Sequence, residues 1–547
     1  MRNTKNCMPK NWAKRAFALL LALCALLLCA CAGGEAAPAE NGALTLPTPT
    51  PAPVPLNGGE LRMAIPTNAE ETDPLKVNTK EMYSLFSLVY EKLVGIATDG
   101  TPVAELAESW SSDDEGRVWT VHLRANVYWH SGNLFTAMDV LHTFERLRDL
   151  GENSYYAICA QAIQSMLALD DTTLEVTMSQ PGYASIYALS FPILEGGIAK
   201  AAPSGTGPYR VDEMSSQQVR LTANKNWWKQ RPYIDTILFL ERDNNDIALA
   251  SYAAGQLNMV LTSNAGVGKY RQEGVTNVLD IMTQTAEMML INDRNSSLKN
   301  ASVRKALAYA LDRGKIISNI YMNRAQACDV PFPPDSLAYE SKSKVYDYNL
   351  ARAYELLAEA GWERDEAGKL IKEGQPFAVR LLTSESSDSA RSEAAQLIAD
   401  QLTELGMQVE LTAAAYSLSS RNSDYLDALR AGNYDLALIG INLSRNCDLT
   451  PVFAVDGAAH YGNYANPALR ALAEDVMRAA DQAAFRKAAS ALQLKFVEEL
   501  PFIMLYFRLD SIVYAADIQG LADVREPNIM QTADKWYVYT NESGKAN

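Results

Sequence analysis

The sequence predicts an α/β protein of two or three lobes, and three observations point to it. Its 547 residues exceed what one hydrophobic core supports, since cores stop growing at about 250–300 residues. Helical spacing gives way to glycine and then to a short apolar strand, as at residues 392–405, Gly406 and residues 407–411, the alternation of layered α/β folds. The third observation is the stretch 433–451, NYDLALIGINLSRNCDLTP. It opens as a buried strand over 436–441, then turns abruptly polar at Arg445, Asn446, Cys447 and Asp448. Strand ends of this kind open into ligand crevices in α/β sheets. An arginine and an aspartate so close together are either opposite charge anchors for a zwitterion or an ion pair within a surface loop.

Taken in order, residues 1–31 read as an export signal. Arg2, Lys5, Lys10, Lys14 and Arg15 make a positive start, and residues 16–28 form an apolar core too short to span a bilayer comfortably. The stretch closes on Leu28-Cys29-Ala30-Cys31, which resembles the lipobox of bacterial lipoproteins. That resemblance implies lipidation of Cys31 as the mature N-terminus, and two acyl chains anchor a protein without a membrane-spanning helix. Residues 32–57 are rich in Ala, Pro and Thr with no periodicity, a composition suited to an extended stalk.

Globular sequence starts with a strand at 58–65, followed by a helical pattern at 83–93. Residues 118–123 (VWTVHL) alternate as a half-buried strand does, and 137–147 have helical spacing with Thr136 as N-cap. A strand at 174–178 precedes the turn Pro203-Ser204-Gly205-Thr206-Gly207-Pro208, which feeds another strand at Tyr209. The turn lacks the Lys-Ser/Thr of a phosphate loop and opens no helix, which excludes nucleotide binding. A strand at 234–240 follows, and residues 303–317 read as one amphipathic helix. Residues 351–360 form a helix ended by Gly361, and residues 469–500 are helical apart from a break near Asp481. Strands around 502–507 and 536–539 finish the chain.

By Trp110 a resemblance is legible, running from about residue 58 to the end of the chain, to the extracytoplasmic solute-binding proteins of peptide-type ABC importers (the oligopeptide/dipeptide-binding class). Ala107-Glu108-Ser109-Trp110 with residues 118–124, and Trp129-His130-Ser131-Gly132 running into residues 136–140, are similar to the family's early blocks. Gly205-Thr206-Gly207-Pro208-Tyr209 is similar to its most characteristic short motif. Asn226-Trp227-Trp228, Arg231-Pro232-Tyr233-Ile234-Asp235, Arg304-Lys305-Ala306-Leu307, Ala310-Leu311-Asp312-Arg313, residues 351–361 and Tyr464-Ala465-Asn466-Pro467 continue in family order. The resemblance implies a two-lobed periplasmic-binding-protein-like α/β fold with hinge strands and an inserted subdomain. Lobe I is expected in residues 58–80, 200–285 and 505–547, the insertion in 81–199 and lobe II in 286–504. The sequence departs from the family where Ser131 replaces the usual acidic residue, and where Asp448-Leu449-Thr450-Pro451 stands in place of an Asp-x-x-Asp-Pro arrangement.

The implied function is capture of a peptide and its delivery to an ABC importer permease, with no catalysis and no cofactor, from a lipid-anchored position on the extracytoplasmic face of the cell membrane. Asp448 is the candidate for the peptide's amine and Arg445 for its carboxylate, with Asn446, Cys447 and Tyr461 as further candidate contacts. An oligosaccharide or metal chelate is the alternative ligand, and a secreted hydrolase the alternative class. The net charge of −16 excludes nucleic acid as partner. His122, His130, His142 and His460 show no metal-ligand spacing, and no G-x-S-x-G nucleophile occurs. Cys159, Cys328 and Cys447 are isolated in sequence, and in an exported chain one pair of them can bridge.

Overall fold

The structure, a computed structural model, describes residues 55–65, 71–77, 79–113, 116–385, 389–416, 423–454, 457, 460, 461 and 466–539. The export signal, the lipobox with Cys31 and nearly all of the stalk lie outside the described residues.

Buried side chains gather into two large cores. The first contains Leu61, Val121, Phe144, Tyr209 and Trp536, and the second Met288, Leu307, Leu438, Phe496 and Phe507. The frontier between them falls inside two long antiparallel strands, Thr276–Ile291 and Phe502–Ala515. Ile281 and Ile512 belong to the first core, while Met282 and Phe507 belong to the second. Register shifts interrupt this ladder between Met282 and Ala286 and between Glu287 and Met288, and irregularities of that kind bend and twist a strand pair. The expected lobe boundaries at 285/286 and 504/505 lie within these two strands.

The first core carries one four-stranded sheet made of Glu60–Ile65, Thr236–Glu241, Gln218–Ala223 and Tyr209–Met214 in that order, and a second made of Ala107–Ser112, Val118–Leu123, Thr173–Met178 and Ile163–Asp170. The helix Ala137–Leu150 packs with it, started by a capping box in which the Thr136 N–H donates to Asp139 Oδ2 at 2.9 Å. The long strands form one sheet with Met259–Thr262 on one side and Leu436–Asn442, Ala378–Glu385 and Gln408–Ala415 on the other. Ala378–Glu385 pairs in parallel with both of its neighbours.

Two sequence expectations are corrected. The helix read over 303–317 is two helices, Ala301–Ala310 and Arg313–Ile320. Leu311 is extended, and Asp312 starts a new helix by accepting from the Lys315 N–H at 2.9 Å. Cys159, Cys328 and Cys447 are all free thiols, so no pair of them bridges.

The motifs that carried the family resemblance hold the fold together. Gly205 and Gly207 lie so close to the end of the helix Lys80–Val89 that a Cβ on Gly205 would stand 1.7 Å from the Val89 carbonyl oxygen. His130 braces the same turn. The Gly205 N–H donates to its Nδ1 at 3.2 Å, so Nε2 carries the proton and donates to the Gly207 carbonyl at 3.0 Å. Trp227 and Trp228 both donate their indole N–H to buried Glu91, at 3.3 and 2.9 Å. Burial outweighs Lys229 and these donors and raises that carboxyl to about 7. Arg313 is buried against Asp329 at 2.6 Å, and buried Arg304 donates to the Leu500 carbonyl at 2.9 Å.

Candidate ligand-binding site

The strand Leu436–Asn442 is buried over its first four residues, because it lies between Thr276–Ile291 and Ala378–Glu385. It emerges at Asn442, and the chain turns through Ser444, Arg445, Asn446, Cys447 and Asp448 into the short helix Thr450–Phe453. Here it reaches a cavity of about 940 Å³ that lies between the two cores. Tyr83, Lys92, Glu105, Tyr155 and Ile158 line it from the side of the first core, and Gln284, Asn442, Arg445, Asn446 and Asp448 from the side of the second. That volume sits at the upper end of the roughly 300–1,000 Å³ typical of ligand pockets.

Arg445 and Asp448 do not pair with each other. Asp448 Oδ1 accepts from the Thr450 N–H at 2.9 Å and from its hydroxyl at 2.5 Å, and among the described residues no donor reaches Oδ2. Arg445 reaches across to the first core and donates through Nη2 to the backbone carbonyls of Ala97 and, at 3.3 Å, Thr98. Its Nε and Nη1 bond no acceptor, and no carboxylate lies within ion-pair distance, among the described residues. Burial, with the Arg525 guanidinium beside it, lowers Arg445 from its ordinary value to about 10.

The turn from Ala97 to Gly100 is gripped from several sides. Arg525 donates to the Thr98 carbonyl at 2.5 Å and pairs with Asp335 at 3.0 Å. The Leu337 N–H donates to the Asp99 carbonyl at 2.7 Å, and the Tyr187 hydroxyl donates to the Gly100 carbonyl at 2.5 Å. Arg445, Asp335 and Leu337 belong to the chain between the two long strands, so this turn is where the two sides of the cavity meet.

Residues 101–457 match the family described as bacterial extracellular solute-binding proteins, family 5 Middle. The chain belongs to this family. It is 24% identical over 496 residues to the oligopeptide-binding protein AppA of Bacillus subtilis, covering 85% of this chain and 88% of that one. It is 27% identical over 376 residues to the nickel-binding periplasmic protein of Escherichia coli, covering 64% and 70%. Among solved structures, the nickel ABC transporter protein from Bacillus halodurans superposes with a TM-score of 0.77 at 22% identity, covering 88% of this chain and 100% of that one. The structure of Bacillus subtilis AppA with a nonapeptide superposes with a TM-score of 0.64 at 22% identity, covering 89% and 100%. The family and the two-lobed α/β fold expected from the sequence are both borne out.

Of the candidate residues named from the sequence, this family 5 protein places Arg445, Asn446 and Asp448 on the cavity wall. Asn446 Oδ1 accepts from the Asp448 N–H at 3.1 Å and so shapes the turn. Cys447 and Tyr461 are not among the lining residues. Cys447 is left-handed at φ 59°, and its half-buried thiol packs against the second core, where burial pushes it up to about 12. Tyr461 packs against the same core, and its carbonyl accepts from the Tyr434 hydroxyl. Sequence reading missed the wall facing Arg445. There Lys92 lies over the Tyr83 ring at 4.7 Å and Glu105 accepts from the Lys92 N–H at 3.2 Å. Among the described residues no helix is long and apolar enough to cross a membrane.

Proposed function

We propose that the protein captures peptides in the cavity between its two cores and hands them to the permease of an ABC importer. One observation carries this reading. Two open charges of opposite sign line one cavity, Asp448 with its free Oδ2 and Arg445 with neither counter-ion nor acceptor for Nε and Nη1. The Nε and Nη1 N–H groups that bond no acceptor among the described residues leave this guanidinium able to answer a ligand carboxylate by a charge-assisted hydrogen bond. Asp448 takes the ligand's amine, while exposed strand edges pair with its backbone and keep side-chain selection broad. Similarity to an oligopeptide-binding protein over most of both chains agrees with this. The Arg445 site also suits a carboxylate-bearing metal chelate, and the relative named as nickel-binding favours that as the second reading. A neutral oligosaccharide leaves both charges unanswered.

In this reading residues 58–80, 200–285 and 505–547 form lobe I, 81–199 its insertion and 286–504 lobe II, and the lobes close on the ligand as it shifts the population toward the closed form. The protein binds and does not catalyse. Cys31 carries the lipid that holds it at the extracytoplasmic face of the membrane, so Cys31→Ala should move it from the membrane fraction to the medium or periplasm. Calorimetry on Asp448→Asn tests the amine anchor, since the amide keeps the Thr450 hydrogen bonds and removes only the charge. Wild type should bind a free peptide about thirtyfold or more tighter than its N-acetylated form, and the variant should bind both alike. Equal wild-type affinity for the two forms would overturn the anchor.

A further inference from the structure

The cavity has an apolar corner that the two charged anchors leave unused. It is built by Tyr155, Tyr156 and the helix Ala157–Ala162 that follows them. Ile158 is 78% exposed, more than any other large apolar side chain among the described residues, and Tyr155 is 55% exposed. Both nevertheless line the cavity shared by Arg445 and Asp448, so whatever fills the cavity covers them. The corner is preformed. The Tyr155 ring meets Tyr156 edge-on, with centroids 5.0 Å apart, and tilts against Tyr83 at 5.9 Å, which fixes it in place. On the opposite side of the cavity Met477 ends the helix Pro467–Met477 and offers a flexible thioether that adapts to different shapes.

We propose that Tyr155 and Ile158, with Tyr83 and Tyr156, form a subsite for an aromatic or large aliphatic side chain of the bound peptide, across the cavity from Met477. The inference rests on the peptide reading above. These four side chains carry no charge at neutral pH and the cation beside them, Lys92 over the Tyr83 ring at 4.7 Å, repels a cationic ligand side chain, whereas an apolar one removes exposed Tyr155 and Ile158 surface from water. Backbone pairing and charged termini set the register, and this corner then selects among sequences.

The test compares the full protein binding an alanine-only tetrapeptide with four variants of it that carry phenylalanine at each position in turn. One of the phenylalanine peptides should bind wild type about tenfold or more tighter than the alanine peptide. Ile158→Ser and Tyr155→Ala, both at exposed positions, should each reduce that preference, read as the ratio of the two peptides' affinities for the same variant, to about threefold or less. If wild type binds all five peptides equally, or the variants keep the full preference, the subsite is wrong and the peptide reading survives. If no peptide binds wild type, the peptide reading falls and the subsite falls with it.

Discussion

Arg445 and Arg525 donate to the same backbone oxygen, that of Thr98, although one follows a strand of the second core and the other lies in the C-terminal segment packed on the first. Among the described residues Asp335 is the one carboxylate in ion-pair contact with either, and it pairs with Arg525. The cavity wall therefore keeps a positive charge that a ligand carboxylate can answer. C-terminal amidation of a peptide should weaken its binding to wild type by about 2–5 kcal/mol, and Arg445→Met should bind the free and amidated forms alike. Calorimetry reads both arms, and an amidated peptide that binds wild type as tightly as the free acid removes Arg445 from the role.

Gly205→Ala should be among the most damaging small substitutions in the chain. The new methyl would stand 1.7 Å from the Val89 carbonyl oxygen, a backbone atom that cannot rotate away. A cost above about 3 kcal/mol is expected, in the range of core overpacking combined with backbone displacement. Urea unfolding followed by tryptophan fluorescence measures it. A loss below about 1 kcal/mol would mean that the turn and the helix end separate easily.

His130 should make stability depend on pH. Burial, with Arg210 nearby, lowers it from 6.5 to about 4 in the folded protein. The unfolded chain therefore binds the proton more readily, and the contribution is fully present above about pH 6.5, fading as pH falls toward 4. Its size is up to about 3 kcal/mol. Unfolding free energies measured between pH 4 and 7 should be steeper for wild type than for His130→Gln, and parallel curves would show that the imidazole is not held neutral.

Legibility followed how far burial is written in side-chain period. The strand Val118–Leu123 matched its sequence expectation residue for residue, because every second side chain enters the first core. The break at Leu311 and Asp312 was invisible, since apolar spacing continues across it and the bonds that hold it open come partly from distant Gln401, which accepts from the Asp312 N–H at 3.0 Å and donates to its carbonyl at 3.3 Å. The strand Thr276–Ile291 escaped notice for the opposite reason. Gln284 faces the cavity, and fully buried Glu287 pairs with Arg391 at 2.8 Å, so polar residues interrupt both alternation and an apolar run. Of the cavity, the wall at Arg445 and Asp448 showed as a strand ending in charge. The wall at Tyr155 and Ile158 did not, because an apolar residue on a short helix reads as core wherever it points. The recurrent glycine, tryptophan and arginine motifs marked the fold and left the ligand unmarked, because their side chains and close contacts serve the framework.

The two ends of the globular body are packed together. Leu61 and Trp536 share one core, and Gly59 lies so close to Val538 that a Cβ there would come within 2.8 Å of its side chain. The second core, by contrast, draws its residues almost wholly from 282–507. A chain emerging N-terminus first thus holds the beginning of a lobe that it cannot close until its last forty residues appear, while the nested lobe already has nearly all of its parts. Bringing such distant segments together carries the loop-closure cost of the longest separations in the molecule and belongs to the slow end of folding. Late closure of the outer lobe, after the nested one has its parts, follows from this topology.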